Sequence, residues 1–187
     1  MFIVLEGIDG CGKSTHAKDL GKWLGEKGFD VVLTAEPTNS KTGMWIREVL
    51  GGKATADPET LALLFTADRS QHVKSLILPA LDSEKIVVCE RYYYSTIAYQ
   101  AAQGVSWSWL VKINEFAPKP DLTILLDIPL DAAVSRYSGD EIFEKREFLA
   151  KVRENYYKFG DMVSVDSGRS FGETREKIRE IVWEKIK

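Results

Sequence analysis

The sequence contains few cysteines and no long apolar run. Its only two cysteines are Cys11 and Cys89. This number excludes a disulfide-based scaffold and is typical of a reducing compartment. No apolar stretch approaches the about 20 residues that a membrane-spanning helix needs, and the run 2–5 is too short for the apolar region of a signal peptide. We therefore expect a cytosolic protein that does not bind membranes.

Clustered positive charge is also absent. The formal net charge is -3 at pH 7, and no block of five or more lysines and arginines occurs. A nucleic-acid backbone would require such a basic field, so nucleic acid is not an expected partner. The length of 187 residues suits one domain with a substantial core, covering residues 1–187.

Short apolar runs alternate with longer stretches of helical periodicity. The runs predict strands at Phe2–Leu5, Val31–Ala35, Ile86–Cys89, Leu122–Leu126 and Met162–Val165. The helical stretches are Ser14–Lys27, Gly43–Leu50, Pro58–Leu81, Ser95–Gln103, Ser106–Phe116, Leu130–Tyr137, Glu144–Lys158 and Gly172–Ile186. The middle runs are continuously apolar, as expected for strands buried on both faces. The alternation predicts an α/β fold with about five parallel strands and with ligands beyond their carboxyl ends.

A glycine-rich loop, "GIDGCGKST" at residues 7–15, follows the first strand. It matches G-x-x-x-x-G-K-[ST] between a strand and a helix, where backbone N–H groups and a helix N-terminus hold phosphates. We expect Lys13 to contact the outer phosphates and Ser14 to hold Mg²⁺. The expected nucleotide-binding residues are Gly7, Ile8, Asp9, Gly10, Cys11, Gly12, Lys13, Ser14 and Thr15.

Other interpretations of this loop explain less. A dinucleotide-binding fingerprint would need a third glycine where Thr15 stands, and it would leave Lys13 without a role. A GTP-dependent switch would need N-K-x-D, which is missing, and a large ATPase would usually be longer. A small chain with a phosphate loop must carry a second substrate, so a second anion site is expected.

Two later stretches provide candidates for that site. In "CERYYYSTIAYQ", residues 89–100, Glu90 and Arg91 follow the third strand directly. An acid there can organise Mg²⁺, and an arginine can bind a phosphate with two hydrogen bonds. In "LLFTADRSQHV", residues 63–73, Phe65 and Arg69 stand at i and i+4 of a helix, where they can stack and read a base. The alternatives are a surface ion pair, a core phenylalanine and a solvated arginine.

Two weaker signals accompany these stretches. The second strand ends in Glu36 and Pro37, and Arg47 lies on the next helical stretch, although this is also compatible with an ordinary turn. Thr96, Tyr99 and Gln100 are spaced for one helical face, so a hydroxyl, a ring and an amide can line one pocket.

In this order, the stretches resemble the thymidylate kinase family, whose members phosphorylate dTMP with ATP. The resemblance covers nearly the whole chain and implies a P-loop nucleotide kinase fold and a homodimer. It depends on the Asp-Gly form of the phosphate loop, on Glu36-Pro37, on "LLFTADRSQHV" and "ERYYYSTIAYQ", and on "KPDLTILLDIPLDAAVSR" at residues 119–136.

The resemblance implies a role for each acceptor residue. Phe65 would stack on thymine, and Arg69 and Gln100 would read its edge. Arg91, helped by Arg47, would bind the monophosphate, and Tyr99 would disfavour a ribose. Asp9 would lie near the sugar 3′-hydroxyl and the metal site. The expected dTMP-binding residues are Asp9, Glu36, Arg47, Phe65, Arg69, Arg91, Ser95, Thr96, Tyr99 and Gln100.

The expected mechanism is in-line transfer of the γ-phosphoryl group without a general base, because the acceptor phosphate is already ionised. Lys13, Mg²⁺ and Arg91 would share the charge, with Ser14, Asp9 and Glu90 as the metal-site residues. Gly10 stands where some family members carry a catalytic arginine, which directs attention to the lid at about residues 136–147. Arg136, also expected to contact ATP, is the first candidate there, before Arg146 and Lys145.

Several departures from the family pattern leave questions open. Ile142 replaces a frequent arginine, Glu90 replaces the usual Asp, which puts direct metal contact in question, and "EPTNSKTG" lacks the paired glycines after Glu-Pro. "DSGRSF" at residues 166–171 is an adenine-site candidate by fold analogy only. Cys11 is either a small filler or a reactive thiol, and Trp107 and Trp109 belong to the core or to a subunit contact.

Two alternative functions stay open. The chain could be a kinase of another nucleoside monophosphate or of a deoxynucleoside, or it could be a non-catalytic nucleotide-binding regulator.

Overall fold

One parallel sheet organises the chain. The computed structural model describes residues 1–135 and 142–187. Its strands are β1 (Phe2–Glu6), β2 (Val31–Ala35), β3 (Ile86–Glu90), β4 (Leu122–Asp127) and β5 (Met162–Asp166). They form a five-stranded sheet in the order β2-β3-β1-β4-β5, and every neighbouring pair is parallel. The predicted α/β fold with about five parallel strands is confirmed.

Helices connect and flank the strands. They are α1 (Lys13–Glu26), α2 (Lys41–Leu50), α3 (Pro58–His72), α4 (Leu78–Asp82), α5 (Tyr93–Ala102), α6 (Trp107–Asn114), α7 (Leu130–Val134), α8 (Ile142–Tyr156) and α9 (Phe171–Ile186). The helix predicted at 58–81 is divided by a π-helical turn, Val73–Ile77. Pro79 has no N–H to donate, which interrupts the regular i to i−4 pattern, and Leu78 N–H instead donates to Val73 O.

Four strands extend one residue beyond their predicted ends, and each added residue is acidic. These residues are Glu6, Glu90, Asp127 and Asp166. The apolar pattern ends before the strand does, because backbone pairing continues through the acid: Glu6 pairs with Leu125, and Asp127 pairs with Asp166. The carboxyl edge of the sheet therefore carries a row of carboxyl groups.

The expectation that the middle runs are buried on both faces holds for β3 and β4 but is wrong for β2. β2 is half-buried, since it pairs only with β3 at the edge of the sheet. Leu33 of β2 is 47% exposed. Its side chain contacts α1, where a Cβ on Gly21 would lie 2.5 Å from Leu33 Cδ2.

The largest core cluster lies where β1, β3 and β4 pack against α1, α5, α8 and α9. A second cluster covers the opposite face of β1 and β3 with the π turn and α4. Trp107 and Trp109 are half-buried and pack against a third cluster around Ile97 and Leu110. Across the two described ranges, no helix has the length and apolarity to span a membrane.

Candidate active site

The loop between β1 and α1 has the backbone of a phosphate-binding loop. Gly7, Gly10 and Gly12 have φ values of 141°, 85° and 90°, which favour glycine. At Gly7 an added Cβ would lie 2.5 Å from Leu126 O, so a side chain does not fit. Helix α1 starts directly after Gly12, and its first N–H groups have no acceptor within the helix. The loop and helix end together suit an anion.

Lys13 is folded over this loop. Its Nζ donates to Gly7 O at 3.0 Å and to Ile8 O at 2.9 Å, and it lies 3.5 Å from Cys11 Sγ. Burial lowers the pKa of the Lys13 ammonium, and the nearby Arg91 charge adds to the decrease. Cys11 is 2% exposed and packs under the loop. The ammonium group is thus already within the loop, bound by neutral carbonyls that a phosphate can replace.

Ser14 and Glu90 lie together beside the phosphate loop. Ser14 Oγ donates to Glu90 Oε1 at 2.8 Å, which joins the start of α1 to the end of β3. Asp9 is the third expected metal-site residue, and its side chain is 45% exposed. Among residues 1–135 and 142–187, no three His, Cys, Asp or Glu side chains form a cluster that could hold a metal. The arrangement provides hard oxygen donors for a cation that also takes oxygens from its substrate.

Arg91 connects the phosphate loop to α5. The residue has φ of 63°, a conformation uncommon for a side chain with a Cβ. Its guanidinium group donates to Asp9 Oδ1 at 2.5 Å, to Ser95 Oγ at 3.0 Å and to Gly7 O at 3.3 Å. The Tyr99 ring lies below it, 5.2 Å from Arg91 Cζ. The converging contacts hold one cation at the end of β3.

A buried carboxyl group supports Arg91 from beneath. Glu6 is 0% exposed and accepts hydrogen bonds from Tyr92 N–H at 2.7 Å, Ser95 Oγ at 2.6 Å and the Tyr156 hydroxyl at 3.0 Å. Burial raises the pKa of this carboxyl group despite these hydrogen bonds. Ser95, expected to contact dTMP, therefore also links Glu6 to Arg91. Sequence reasoning missed Glu6 and Tyr156, although an acid directly after a buried apolar run was a signal for Glu6.

A cavity of about 130 Å³ adjoins this arginine. It contains every expected dTMP-binding residue except Arg47, together with three neighbours that were not predicted to line it. The lining residues are Asp9, Glu36, Pro37, Leu50, Phe65, Arg69, Arg91, Tyr92, Ser95, Thr96, Tyr99 and Gln100. The expected common face of Thr96, Tyr99 and Gln100 on α5 is present.

Arg69 is held at the back of the cavity. It is 1% exposed, and its Nε donates to Glu36 Oε2 at 2.9 Å. Its Nη2 donates to Thr96 Oγ1 at 2.9 Å, and its Nη1 donates to Asn114 Oδ1. The ring of Tyr92 also packs against it, 5.3 Å from Arg69 Cζ. These contacts fix the orientation of the guanidinium group before any ligand binds.

Behind Arg69 the hydrogen bonds continue. His72 Nδ1 lies 3.0 Å from Glu36 Oε1, and His72 Nε2 lies 2.7 Å from Thr34 Oγ1. Glu36, His72 and Asn114 are all buried. Sequence reasoning missed His72 and Asn114. His72 stands three residues after Arg69 on α3, a spacing that indicates a shared face, whereas nothing in the sequence indicated Asn114.

Two polar side chains of α5, Tyr99 and Gln100, also line the cavity. The Tyr99 hydroxyl donates to Asp9 Oδ2 at 3.1 Å and accepts from Asp9 N–H at 3.2 Å, and burial raises the pKa of this phenol. Gln100 Nε2 donates to Gln103 Oε1 at 3.3 Å. Gln100 Oε1 is buried and has no hydrogen-bond partner within the described part of the chain. An unsatisfied acceptor of this kind favours a ligand with an N–H donor.

Arg47 lies away from the cavity. Its guanidinium group donates to the carbonyl oxygens of Pro37 and Thr38, in the loop that follows β2. Its side chain lines a separate groove beside that loop. The peptide bond between Glu36 and Pro37 is cis. The structure gives Arg47 these loop partners, and the help that it was expected to give Arg91 stays a prediction.

The lid is only partly covered by the structure. The first lid candidate, Arg136, lies outside the described residues. Arg146 at the start of α8 donates to Asp131 Oδ1 at 3.1 Å.

In the adenine-site candidate, Phe171 stacks on His16 with ring centroids 4.8 Å apart. Burial lowers the pKa of His16.

Comparison with known proteins points to one family. The family model described as thymidylate kinase matches residues 5–178. A relative from Pyrococcus abyssi named "Probable thymidylate kinase" is 49% identical, and the alignment covers 86% of this chain and 83% of the relative. A protein of the same name from Pyrococcus horikoshii is 48% identical with the same coverage. A third, from Methanosphaera stadtmanae, is 40% identical with 100% of both chains aligned.

Proposed function

The chain belongs to the thymidylate kinase family, and from this premise we propose how its residues carry out the reaction. The enzyme is a nucleoside monophosphate kinase that transfers the γ-phosphoryl group of ATP to dTMP, giving dTDP and ADP for dTTP biosynthesis. The observation that carries the assignment of roles is the Asp9–Arg91 pair. Both residues line the acceptor cavity, while Arg91 also contacts the phosphate loop through Gly7 O.

Arg91 binds the acceptor monophosphate at the mouth of the cavity. Its guanidinium group can exchange Asp9 for phosphate oxygens, which form strong, charge-assisted hydrogen bonds with arginine. Ser95 and the Gly7 carbonyl keep the group in place during that exchange, as their present contacts support. The acceptor oxygen is thereby placed next to the phosphate loop that holds ATP.

Phe65, Arg69 and Gln100 recognise thymine. Phe65 is half-buried in the cavity wall and offers a ring for stacking. The unpartnered Gln100 Oε1 accepts from an N–H on the base edge, and Arg69, fixed by Glu36 and Thr96, donates to a base carbonyl. A base with the wrong edge would leave these groups unpaired at about 1–3 kcal/mol each.

Tyr99 and Asp9 receive the sugar. The Tyr99 ring fills the space between α5 and Arg91, and its hydroxyl holds the Asp9 carboxylate. The Asp9 carboxylate accepts from the 3′-hydroxyl group. The Tyr99 ring leaves no room for a 2′-hydroxyl group, which selects a deoxyribose.

Phosphoryl transfer depends on positioning and charge neutralisation. Lys13 leaves the Gly7 and Ile8 carbonyls and binds the outer phosphates of ATP, while Arg91 holds the attacking phosphate in line. Neither residue transfers a proton, because the acceptor is ionised at neutral pH. The remaining loop residues, Gly7 to Thr15, bind the phosphates through backbone N–H groups.

Mg²⁺ fits the oxygen donors beside the loop. Ser14 Oγ, Glu90 and Asp9 would hold it together with substrate oxygens, since Mg²⁺ usually binds one or two carboxylates plus phosphates. Bound there, it neutralises charge on the transferring phosphoryl group. The Glu90 side chain is one methylene longer than the aspartate usual at this position. We propose that Glu90 would bind a water of the ion's shell rather than the ion itself.

The lid and the subunit contact complete the proposal. We propose Arg136 as the lid residue that approaches ATP, since Arg146 has a partner in Asp131. Exposed apolar side chains on α2 and α3, including Met44, Trp45 and Leu63, support a homodimer. The cytosolic location stays a prediction.

Acceptor preference tests the proposed function. ADP release from MgATP is measured with dTMP, dUMP, dCMP, UMP, AMP and thymidine at equal concentrations. We expect dTMP to be preferred and UMP to be poor. A faster reaction with another monophosphate or with thymidine would keep the phosphate loop and overturn the roles given to Phe65, Arg69 and Gln100.

A further inference from the structure

Asp68, on α3 next to Arg69, makes three hydrogen bonds to one loop. Its Oδ2 accepts from Thr38 N–H at 2.7 Å, and its Oδ1 accepts from Thr38 Oγ1 and Ser40 Oγ at 2.6 Å each. Asp68 is 1% exposed. It was not among the residues expected to act in the site, and it does not line the acceptor cavity.

The loop that Asp68 holds joins two walls of that cavity. On one side, Pro37 lines the cavity and Glu36 fixes Arg69. On the other side, Ser40 caps α2, because its Oγ accepts from Gly43 N–H at 3.0 Å. Helix α2 carries Leu50, which lines the cavity as well. Asp68 therefore connects α3 to the start of α2 across the loop.

The loop leaves little freedom around these bonds. A Cβ on Gly43 would lie 2.0 Å from Thr38 O, so the loop packs directly on the backbone of α2. Each hydroxyl both donates and accepts: Thr38 Oγ1 also accepts from Ser40 N–H at 3.1 Å, and Ser40 Oγ also accepts from Gly43 N–H. Arg47 adds contacts to the Pro37 and Thr38 carbonyls.

The Asp68 carboxylate is held by these three donors. Over residues 1–135 and 142–187, no Lys, Arg or His nitrogen lies within 4.0 Å of its carboxylate. A buried carboxylate is costly unless it is hydrogen-bonded, and hydrogen bonds to a charged acceptor are about twice as strong as neutral ones. The loop carries two hydroxyl residues, Thr38 and Ser40, so side-chain hydrogen bonds fix its shape.

We propose that Asp68 is a positioning residue of the acceptor site, which fixes the loop 37–40 and through it the spacing between α2 and α3. The inference rests on the proposed function for the dTMP site but concerns a residue outside the substrate contacts. Loss of the anchor should let the wall formed by Pro37 and Leu50 move away from Phe65 and Arg69. Acceptor binding should suffer, whereas the ATP side, built by the phosphate loop, should not.

The test compares Asp68→Ala and Asp68→Asn with Asp82→Asn, which removes an exposed carboxylate at the end of α4. Hydrogen exchange of peptides covering 37–43 is measured without substrate, and KM values are measured for dTMP and MgATP. For Asp68→Ala we expect at least about tenfold faster exchange in this segment and a rise in KM for dTMP on the order of tenfold, with KM for MgATP within about twofold. Asp68→Asn retains one acceptor and should give smaller changes, and Asp82→Asn should match the wild type.

Thr38→Val provides a second route if Asp68→Ala does not fold. It removes one anchored hydroxyl from the loop side, and its effect combined with Asp68→Asn should be less than additive because both act on the same contact. Unchanged exchange at 37–43 in the Asp68 variants, or equal rises in both KM values, would overturn the proposal. The exchange result does not depend on the substrate, so a wild type that fails to use dTMP would count against the proposed function and leave the anchoring test intact.

Discussion

Arg91 Nη2 lies 2.5 Å from Asp9 Oδ1, an ion pair that joins the end of β3 to the phosphate loop. The Asp9 side chain is 45% exposed and that of Arg91 is 18% exposed, so the pair faces the cavity rather than the core. In the proposed function, the pair lies between the phosphate loop and the cavity that takes the acceptor. Arg91 can exchange the Asp9 carboxylate for phosphate oxygens while the helices and strands stay folded.

Removing the Arg91 guanidinium group should weaken dTMP binding but not ATP binding. Arg91→Ala loses hydrogen bonds to a charged group worth about 1.5–3 kcal/mol each, so dTMP binding should weaken at least about tenfold and turnover should fall further. ATP binding should persist, since Lys13 and the loop remain. Calorimetric titration with each nucleotide measures this. Lys22→Ala, which removes an exposed charge on α1, is the control, and intact dTMP binding in Arg91→Ala would refute the assignment.

Tyr99 should act through its ring rather than its hydroxyl group in excluding ribonucleotides. Tyr99→Phe keeps the ring and loses the contact with Asp9, so it should retain the preference for dUMP over UMP with a raised KM. Tyr99→Ala opens space and should reduce that preference by on the order of tenfold or more. The ratio of kcat/KM values for dUMP and UMP decides. Equal ratios in the two variants would mean that the ring does not exclude the 2′-hydroxyl group.

Gln100 should determine the affinity for the base. Gln100→Leu removes the buried Oε1 and should raise KM for dTMP by about 5- to 150-fold, the equivalent of one buried hydrogen bond of about 1–3 kcal/mol. Gln103→Leu is the matched control, because it removes the exposed partner of Gln100 and leaves Oε1 in place. Steady-state kinetics at saturating MgATP measure both. A similar KM in the two variants would show that Oε1 does not contact the base.

Glu6 should make stability depend on pH. Burial raises its pKa above the ordinary value of 4.5, so at pH values between the unfolded and the native pKa the native state binds more of this proton than the unfolded chain does. The contribution of Glu6 to stability is therefore full below about pH 4.5 and declines as the pH rises toward the raised native pKa. Urea unfolding of the wild type and of Glu6→Gln between pH 4.5 and 8 measures it. The stability difference in favour of the wild type should shrink with rising pH, and a constant or growing difference would contradict the raised pKa.

Gly7 should tolerate no side chain. Gly7→Ala places a Cβ 2.5 Å from Leu126 O at a φ of 141°, and we expect a loss of roughly 2–4 kcal/mol in unfolding free energy together with weaker ATP binding. Gly25→Ala on α1 has no atom within 4 Å of the added Cβ, and it should be neutral or stabilising by about 0.5–1 kcal/mol. Urea unfolding measures both. Equal stability of the two variants would contradict the tight packing of the loop.

Local patterns were sufficient for the parts of the site that lie on one element. The phosphate loop has a fixed spacing, and Thr96, Tyr99 and Gln100 share a face because α5 is helical. The β-branched runs located each strand, but four of the predicted strands ended one residue early. An acidic residue can pair through its backbone and extend a strand, whereas its polar side chain ends the apolar pattern. These residues are Glu6, Glu90, Asp127 and Asp166.

The supporting residues could not be predicted because their partners are distant in sequence. Glu6 meets Tyr156 across 150 positions, and Arg69 meets Asn114 across 45. In the sequence, Asp68 cannot be distinguished from a solvent-exposed acid on a helix. Its role depends on its contacts with the loop 37–40, which only the folded structure shows. Arg47 was assigned to the phosphate site by the family resemblance, and the structure shows its guanidinium group bonded to the carbonyl oxygens of Pro37 and Thr38.

The most direct test of the account follows the phosphoryl group itself. The protein is incubated with ATP labelled in the γ-phosphate, Mg²⁺ and dTMP, and the nucleotides are separated by chromatography. We predict that the label appears in dTDP, that this transfer requires dTMP, and that Arg91→Ala abolishes most of it. Label found in inorganic phosphate or remaining in ATP, with no dTDP formed, would contradict the assignment of the Arg91 cavity as the site where dTMP receives the phosphoryl group.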